Sequence, residues 1–185
     1  MPVIYAALDE WLNGRRSSVT SFVSGLAAHG GLAAQVVRGA KALEAMMNDK
    51  NCVRFLTVSG AMTVGKMDLI IADMIELGLI QAISSTGALM AHGLVSSIGL
   101  KHYKYNPKYD DTELARRKLN RVTDTLEPET NLDTVEEVIG KVIDKIDGKV
   151  MLSPTAFNKL IGKHLAENYP NDRGILKSAF LHNVP

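Results

Sequence analysis

Apolar residues recur at helical spacing in the first third of the chain. Between Gly31 and Met47 they follow one another at steps of four, four, three and four: Leu32, Val36, Ala40, Leu43 and Met47. This period places the side chains on one face of a helix. We therefore predict a helical N-terminal segment within residues 1–50 and expect its apolar face to pack on another element.

After residue 50 the pattern changes to short apolar runs that end at small residues. Residues 53–59 are rich in β-branched and aromatic side chains, and residues 79–84 form a second run of this kind. A helical pattern follows each run, over 65–77 and over 88–98. Alternating strands and helices indicate parallel strands with crossover helices. We expect an α/β core over residues 51–185, with a Rossmann-like parallel sheet and flanking helices.

The last third of the chain is predicted to be mainly helical. An amphipathic pattern over 135–146 predicts a helix, and Asp133 with Glu136 three residues later resembles a capping box at its start. Ser153 and Pro154 predict the first residues of a further helix, and a final helix is predicted over 173–181. Residues 100–121 are polar and are predicted to lie at the surface, with a helix over 111–118.

The final residues, Val184 and Pro185, have the pattern of a strand that is about to begin. This predicts that the sheet is incomplete and that the chain lacks a C-terminal half.

Composition narrows the functional classes. The chain has 185 residues, 46% of them hydrophobic, with a net charge of +1 and 5% aromatic residues, which fits one globular domain over 1–185. The balanced charge and few aromatic residues argue against a nucleic-acid partner. A single cysteine and the absence of an uncharged apolar run of bilayer length predict no internal disulfide, no membrane span and a cytoplasmic location.

Two loops that follow the predicted strands are candidates for a ligand site. One contains Ser59, Gly60, Ala61, Met62 and Thr63, and the other contains Ser85, Thr86 and Gly87. Small residues, hydroxyl groups and helix-initial amides at the carboxyl ends of parallel strands suit an anion such as a pyrophosphate. Neither loop is a standard phosphate-binding fingerprint. From the residues alone, a nucleotide site and simple tight turns both remain open.

Histidines and lysines near these loops suggest further chemistry. His92 lies five residues after Gly87, where it either faces a ligand or is an ordinary surface histidine of a helix. Lys66 either contacts a phosphate or is solvated. The five histidines show no metal-ligand spacing, so we predict no metal site.

Taken together and in order, several motifs resemble the deoxyhypusine synthase family: Gly31–Ala34, Phe55–Met62, Ser84–Ala88 with His92, Asn120–Val122, Ser153–Pro154 and Leu160–Lys163. The resemblance implies NAD-dependent transfer of an aminobutyl group from spermidine to a lysine of a translation factor. It also implies a homotetramer, NAD contacts from both loops named above, and a position for His92 near the polyamine.

The chain departs from the family pattern at several positions. Leu89 and Gly93 replace an asparagine and an aspartate of many relatives, and the family's catalytic tryptophan-glycine-lysine motif is absent. We therefore assign no catalytic residue and expect the chain, as an N-terminal half, to supply part of an NAD site. Two alternatives stay open: a non-catalytic fragment or assembly subunit, and a homospermidine-synthase-like relative that uses another amine acceptor.

Overall fold

The computed structural model describes residues 19–28 and 30–185, and the chain divides into two compact units, 1–53 and 54–185. The first unit contains helix α1 (Val19–Gly25), a 3-10 turn (Leu26–Ala28) and helix α2 (Gly31–Asn48). Helix α2 confirms the helix predicted over 31–47. Residues 1–18 of the predicted N-terminal segment lie outside the described residues.

The apolar face of α2 is exposed, contrary to the expectation that it would be buried. Leu32 is 85% exposed, and Val36, Leu43 and Met47 are exposed as well, whereas Val37 is buried. Within residues 19–28 and 30–53 the structure describes one long helix and one short helix, and these do not cover the stripe. The periodicity therefore predicted the helix correctly but not the burial of its apolar face.

The second unit begins with the predicted strand and helix alternation. Its first four elements are β1 (Phe55–Val58), α3 (Asp68–Glu76), β2 (Ala82–Ser85) and α4 (His92–Ser97). Strands β1 and β2 pair in parallel, from Phe55 opposite Ala82 to Val58 opposite Ser85. The α/β fold with a parallel sheet and flanking helices is confirmed.

The turn after α3 brings the chain back to the sheet. Gly78, with φ of 68°, follows the helix. Its N–H donates to the carbonyl of Ile75, and the N–H of Leu79 donates to the carbonyl of Met74, each at 2.9 Å. These bonds satisfy carbonyls at the helix end in the manner of a Schellman motif. Gly78 therefore caps the C-terminal end of α3.

A small antiparallel sheet was not predicted. It consists of β3 (Tyr103–Lys104), β4 (Leu119–Val122) and β5 (Thr125–Pro128) in the order β3-β5-β4, with helix α5 (Asp111–Arg116) between β3 and β4. Thr123 and Asp124 connect β4 to β5. This pair lacks the Asn-Gly or Asp-Gly signal of a two-residue hairpin, and the strands are short and polar, so the sequence pattern did not show them.

Three helices complete the unit: α6 (Glu129–Ile143), α7 (Pro154–Asn168) and α8 (Ile175–Leu181). The predicted start of α6 at Asp133 is wrong, because the helix begins at Glu129, directly after Pro128 of β5. Asp133 is therefore an exposed residue of the second turn. The predicted start of α7 is confirmed, since the Ser153 hydroxyl accepts a hydrogen bond from the N–H of Ala156 at 3.2 Å.

The core of the second unit lies between the sheet and the helices. Its most deeply buried side chains come from α3, α4, α6 and α7: Ile75, Leu94, Val95, Val138, Ile161 and Leu165. Val184 is also buried, and the N–H of Ile83 donates to the carbonyl of Pro185 at 2.9 Å, which places the last residue beside β2. Within residues 19–28 and 30–185, no helix is both long and apolar enough to cross a bilayer.

A comparison of two helical glycines tests this packing. A Cβ at Gly162 of α7 would lie 2.4 Å from the carbonyl oxygen of Leu176, so Gly162→Ala should lower the free energy of unfolding by roughly 1–3 kcal/mol. Gly140 of α6 has no heavy atom within 4 Å of such a position. Gly140→Ala should therefore raise stability by up to about 1 kcal/mol. Urea unfolding measures both changes, and equal effects would contradict the close approach of α7 to α8.

Candidate functional site

The two predicted loops lie side by side at one edge of the parallel sheet. Because β1 and β2 are parallel and in register, the loops after Val58 and Ser85 leave the sheet at the same edge. The N–H of Gly60 donates to the Thr86 hydroxyl oxygen at 2.9 Å. The loops are therefore in direct contact.

A 3-10 turn separates each loop from its helix. The turns cover Gly60–Thr63 and Gly87–Met90, and α3 and α4 begin only at residues 68 and 92. The helices predicted over 65–77 and 88–98 therefore start later than expected. Hydrogen bonds within the turns occupy some of the amides, such as the N–H of Leu89, which donates to the Thr86 carbonyl at 3.0 Å.

The contact between the loops depends on the missing side chain of Gly60. A Cβ there would lie 2.1 Å from the backbone nitrogen of Leu89 and 2.6 Å from the carbonyl carbon of Ala88. The buried Thr63 hydroxyl donates to the Gly60 carbonyl at 2.7 Å. The junction between the loops is thus filled by packed protein atoms.

The predicted site residues fall into two groups by exposure. Gly60 and Thr63 are buried in the junction. Six others reach the surface at least in part, with Ser85 half-buried and the rest exposed: Ser59, Ala61, Met62, Ser85, Thr86 and Gly87. The first group builds the contact between the loops, and the second group is available to a ligand.

A cavity of about 450 Å³ opens beside the second loop. Ser85, Thr86 and Gly87 line it together with apolar residues of α8 and with five residues near the start of α7: Pro154, Thr155, Phe157, Asn158 and Lys159. Among its described lining residues there is none from 59–63. The cavity therefore joins the second loop to the N-terminus of α7, while the first loop meets it only through the contact with Thr86.

His92 belongs to a line of four hydrogen-bonded side chains behind these loops. Its Nδ1 lies 2.6 Å from Glu127 Oε2, and Glu127 Oε1 lies 3.2 Å from His102 Nε2. His102 Nδ1 lies 2.9 Å from Lys66 Nζ. Glu127 and the His102 side chain are 0% exposed, and the His92 side chain is 25% exposed.

Lys66 has an unusual backbone conformation at the far end of this line. Its φ is 64°, in the left-handed region that residues with a side chain seldom adopt. Its ammonium group contacts His102, so the structure gives it a protein partner beyond the two roles considered from the sequence.

The electrostatics of the line are governed by Glu127. Burial by itself would raise the pKa of this carboxyl, but the hydrogen bonds and positive charges of His102 and His92 outweigh burial and hold the pKa below the ordinary 4.5. Glu127 is therefore a buried carboxylate with a hydrogen-bond partner on each oxygen.

Sequence reasoning selected His92 but missed Glu127 and His102. Glu127 lies 35 positions after His92 and 25 positions after His102 in the sequence. The antiparallel sheet that carries Glu127 was not predicted. A charged residue between Leu126 and Pro128 gave no sign that it would be buried. Among the described residues, no group of three His, Cys, Asp or Glu side chains is arranged to hold a metal ion.

Comparison with known proteins assigns the family. The family model for deoxyhypusine synthase matches residues 21–185. The chain belongs to the deoxyhypusine synthase family. The resemblance stated from the sequence motifs is confirmed.

Individual relatives show how much of a deoxyhypusine synthase the chain represents. "Probable deoxyhypusine synthase 2" of Methanosarcina acetivorans is 29% identical over 171 residues, which are 92% of this chain and 49% of the relative. "Probable deoxyhypusine synthase 1" of Archaeoglobus fulgidus is 32% identical over 146 residues, which are 79% of this chain and 46% of the relative. The chain thus spans about half the length of these relatives.

A solved structure supports the fold. The crystal structure of a candidate deoxyhypusine synthase from Entamoeba histolytica matches with a TM-score of 0.56 at 10% identity, covering 92% of this chain and 57% of that chain. At this identity the likeness concerns the fold alone.

Two loop glycines allow the junction to be tested. Gly60→Ala should lower the free energy of unfolding by roughly 1–3 kcal/mol, because the new methyl group overlaps the backbone of Leu89. Gly87→Ala is the matched control, since no heavy atom lies within 4 Å of its added carbon. Thermal or urea unfolding measures both variants. A Gly60→Ala protein as stable as the Gly87→Ala protein would show that the loops do not touch.

The pKa of Glu127 predicts a pH dependence of stability. Because this pKa is lower in the folded chain, ionised Glu127 stabilises the fold above pH 4.5, and the contribution is lost as the pH falls through the folded value. The stability difference between the wild type and Glu127→Gln should therefore shrink in urea titrations as the pH falls below 4.5. The exposed Glu129 provides the control, and Glu129→Gln should show a smaller change. A pH-independent difference for Glu127→Gln would contradict the assignment.

Proposed function

We propose that the chain supplies part of the NAD site of a deoxyhypusine synthase-like transferase. The proposed reaction moves an aminobutyl group from spermidine to a lysine of a translation factor. The observation that carries the proposal is the contact of the two loops at one edge of the parallel sheet, with exposed small and hydroxyl-bearing residues beside a cavity. Membership of the family supports the same reaction.

The residues around the cavity fit a dinucleotide. Gly87 is exposed and has no heavy atom within 4 Å of a Cβ position, so a ligand can approach its backbone closely. Ser85 and Thr86, which carry hydroxyl groups, line the same cavity. The first turn of α7 and Lys159 also line the cavity, where the positive end of the helix dipole and a positive charge suit a pyrophosphate.

The positions of these residues define the role proposed for each of them. Bound NAD would accept a hydride from the polyamine. Ser85, Thr86 and Gly87 of the second loop would orient the cofactor, and the apolar residues of α8 would limit the access of water to the cavity. His92 would lie on the polyamine side. The family's lysine motif is not part of this sequence, so the chain would contribute binding groups rather than the covalent nucleophile.

The full protein would work as a homotetramer in the cytoplasm, as the family resemblance implies. One observation favours a second candidate, an assembly subunit without catalysis: the exposed apolar stripe of α2, where Leu32, Val36, Leu43 and Met47 are uncovered. Titration with NAD would separate the two, because an assembly subunit would form a defined oligomer in sedimentation and yet not bind NAD.

Spermidine-dependent reduction of NAD by the full-length protein tests the proposal. We expect NADH to form only when spermidine is added. Gly87→Ala should weaken NAD binding about tenfold, because the methyl group occupies the path of the ligand to the backbone. Gly148→Ala, at a glycine that also has open space around it, should leave binding unchanged. No NADH with several polyamines would refute the enzymatic proposal.

A further inference from the structure

A second cavity, of about 320 Å³, lies between the end of α6 and the C-terminal half of α7. It shares no lining residue with the cavity assigned to NAD. Its volume is within the range of small-molecule sites. The function proposed above leaves this second cavity without a role.

Most of the lining of the second cavity is apolar. The apolar residues come from α6, from the connection that follows it and from α7: Val142, Ile146, Val150, Leu152 and Leu160. Val142 is buried, whereas Val150 is 54% exposed, which places it at the rim. A ligand with an aliphatic chain can therefore remove that chain from water by packing it against aliphatic side chains.

The polar residues of the lining carry a net positive charge. On α7, Lys163, His164 and Glu167 follow Leu160 at steps of three, one and three, which places all four on one face of the helix. Lys145 adds a second ammonium group from the segment after α6. Glu167 Oε1 lies 3.8 Å from Lys163 Nζ, so the carboxylate balances one of the two lysine charges. One positive charge remains for a ligand.

The hydrogen bonds of His164 determine which of its ring nitrogens carries the proton. Asn168 Nδ2 donates to the main-chain carbonyl of His164 at 2.8 Å, and this fixes the orientation of the amide because a carbonyl oxygen can only accept. The same NH2 group lies 3.3 Å from His164 Nδ1 and donates to it with its second hydrogen. A neutral His164 therefore carries its proton on Nε2.

The Nε2–H group of His164 opens into the cavity. Burial lowers the pKa of His164, and the charge of Lys145 lowers it further, so the ring is neutral at pH 7. The residue is only 8% exposed, yet within residues 19–28 and 30–185 its Nε2 has no hydrogen-bond partner. Every fully buried side-chain nitrogen and oxygen of those residues has a partner, so Nε2 is accessible. Because His164 lines the cavity, the accessible N–H is a donor aimed into it.

We propose that the second cavity binds a free monocarboxylate with an aliphatic chain, its carboxylate at His164 Nε2 and Lys145 and its chain against the apolar lining. A carboxylate only accepts hydrogen bonds, which matches an imidazole N–H and an ammonium group. An amine would meet only donors there. A phosphate ester carries about two negative charges at pH 7, which exceed the net charge of the lining. This inference goes beyond the proposed function and does not depend on it.

Calorimetric titration of the full-length protein with octanoate tests the proposal. We expect octanoate to bind at least about tenfold more tightly than octanamide, which has the same chain without the charge. In proton–nitrogen NMR spectra, octanoate should shift the Nε2–H signal of His164. Equal affinities for octanoate and octanamide would overturn the proposal, because the cavity would then accept any apolar molecule.

Two lysine substitutions form a matched pair. Lys145→Gln removes a charge from the lining and should weaken octanoate binding about fivefold, the upper range for an exposed ion pair. Lys149→Gln removes the same charge from an exposed position outside the lining and should change the affinity by less than about twofold. Equal effects of the two substitutions would overturn the proposal.

The histidine donor is tested by two substitutions of different polarity. His164→Leu removes the N–H group and should weaken octanoate binding about tenfold, whereas His164→Gln, whose amide can donate, should lose less. If these variants of a buried residue do not fold, Val150→Trp fills the cavity from its exposed rim and should abolish binding. A folded His164→Leu or Val150→Trp protein with wild-type affinity for octanoate would overturn the proposal.

Other occupants of the cavity would give a different result. If another part of the full-length protein or a second copy covers the cavity, octanoate does not bind to the wild type and the proposal fails. The outcome of the NADH assay does not affect this test, since the two cavities have no lining residue in common.

Discussion

The close approach of the loops at Gly60 is the constraint on which the candidate site depends. A parallel pair of strands brings two loops to the same edge, but parallel pairing alone leaves their separation open. The backbone of Leu89 occupies the space that any side chain at position 60 would need. The hydrogen bond from the N–H of Gly60 to the Thr86 hydroxyl then fixes the position of the second loop relative to the first. The exposed residues of both loops owe their common position to this contact.

A second constraint is the burial of Glu127. A buried carboxylate is costly unless hydrogen bonds replace its lost hydration. Here both oxygens have histidine partners, which are His92 at the start of α4 and His102 in the segment before β3. The charge thereby ties the small antiparallel sheet to the edge of the parallel sheet. In this chain the acidic partner of His92 comes from β5.

The sequence pattern predicted the elements whose signals are local. The period of α2, the two apolar strands and the start of α7 at Ser153 each depend on neighbouring residues, and the structure contains all of them. The antiparallel sheet was missed because its hairpin turn, Thr123 and Asp124, has no glycine. The capping-box pattern at Asp133 predicted a helix start there, but the helix begins directly after Pro128. Glu127 could not be found because its role depends on contacts between distant segments.

The backbone at Lys66 has a broader meaning for this region. A side-chain-bearing residue with φ of 64° is held in a conformation that costs about 1 kcal/mol or more, and the surrounding structure must impose it. The ammonium group of the same residue contacts His102. The strained main-chain angle and the contact with the buried histidine therefore belong to one residue. Relaxation of this angle would move the start of the lysine side chain and, with it, the position from which the ammonium group reaches His102.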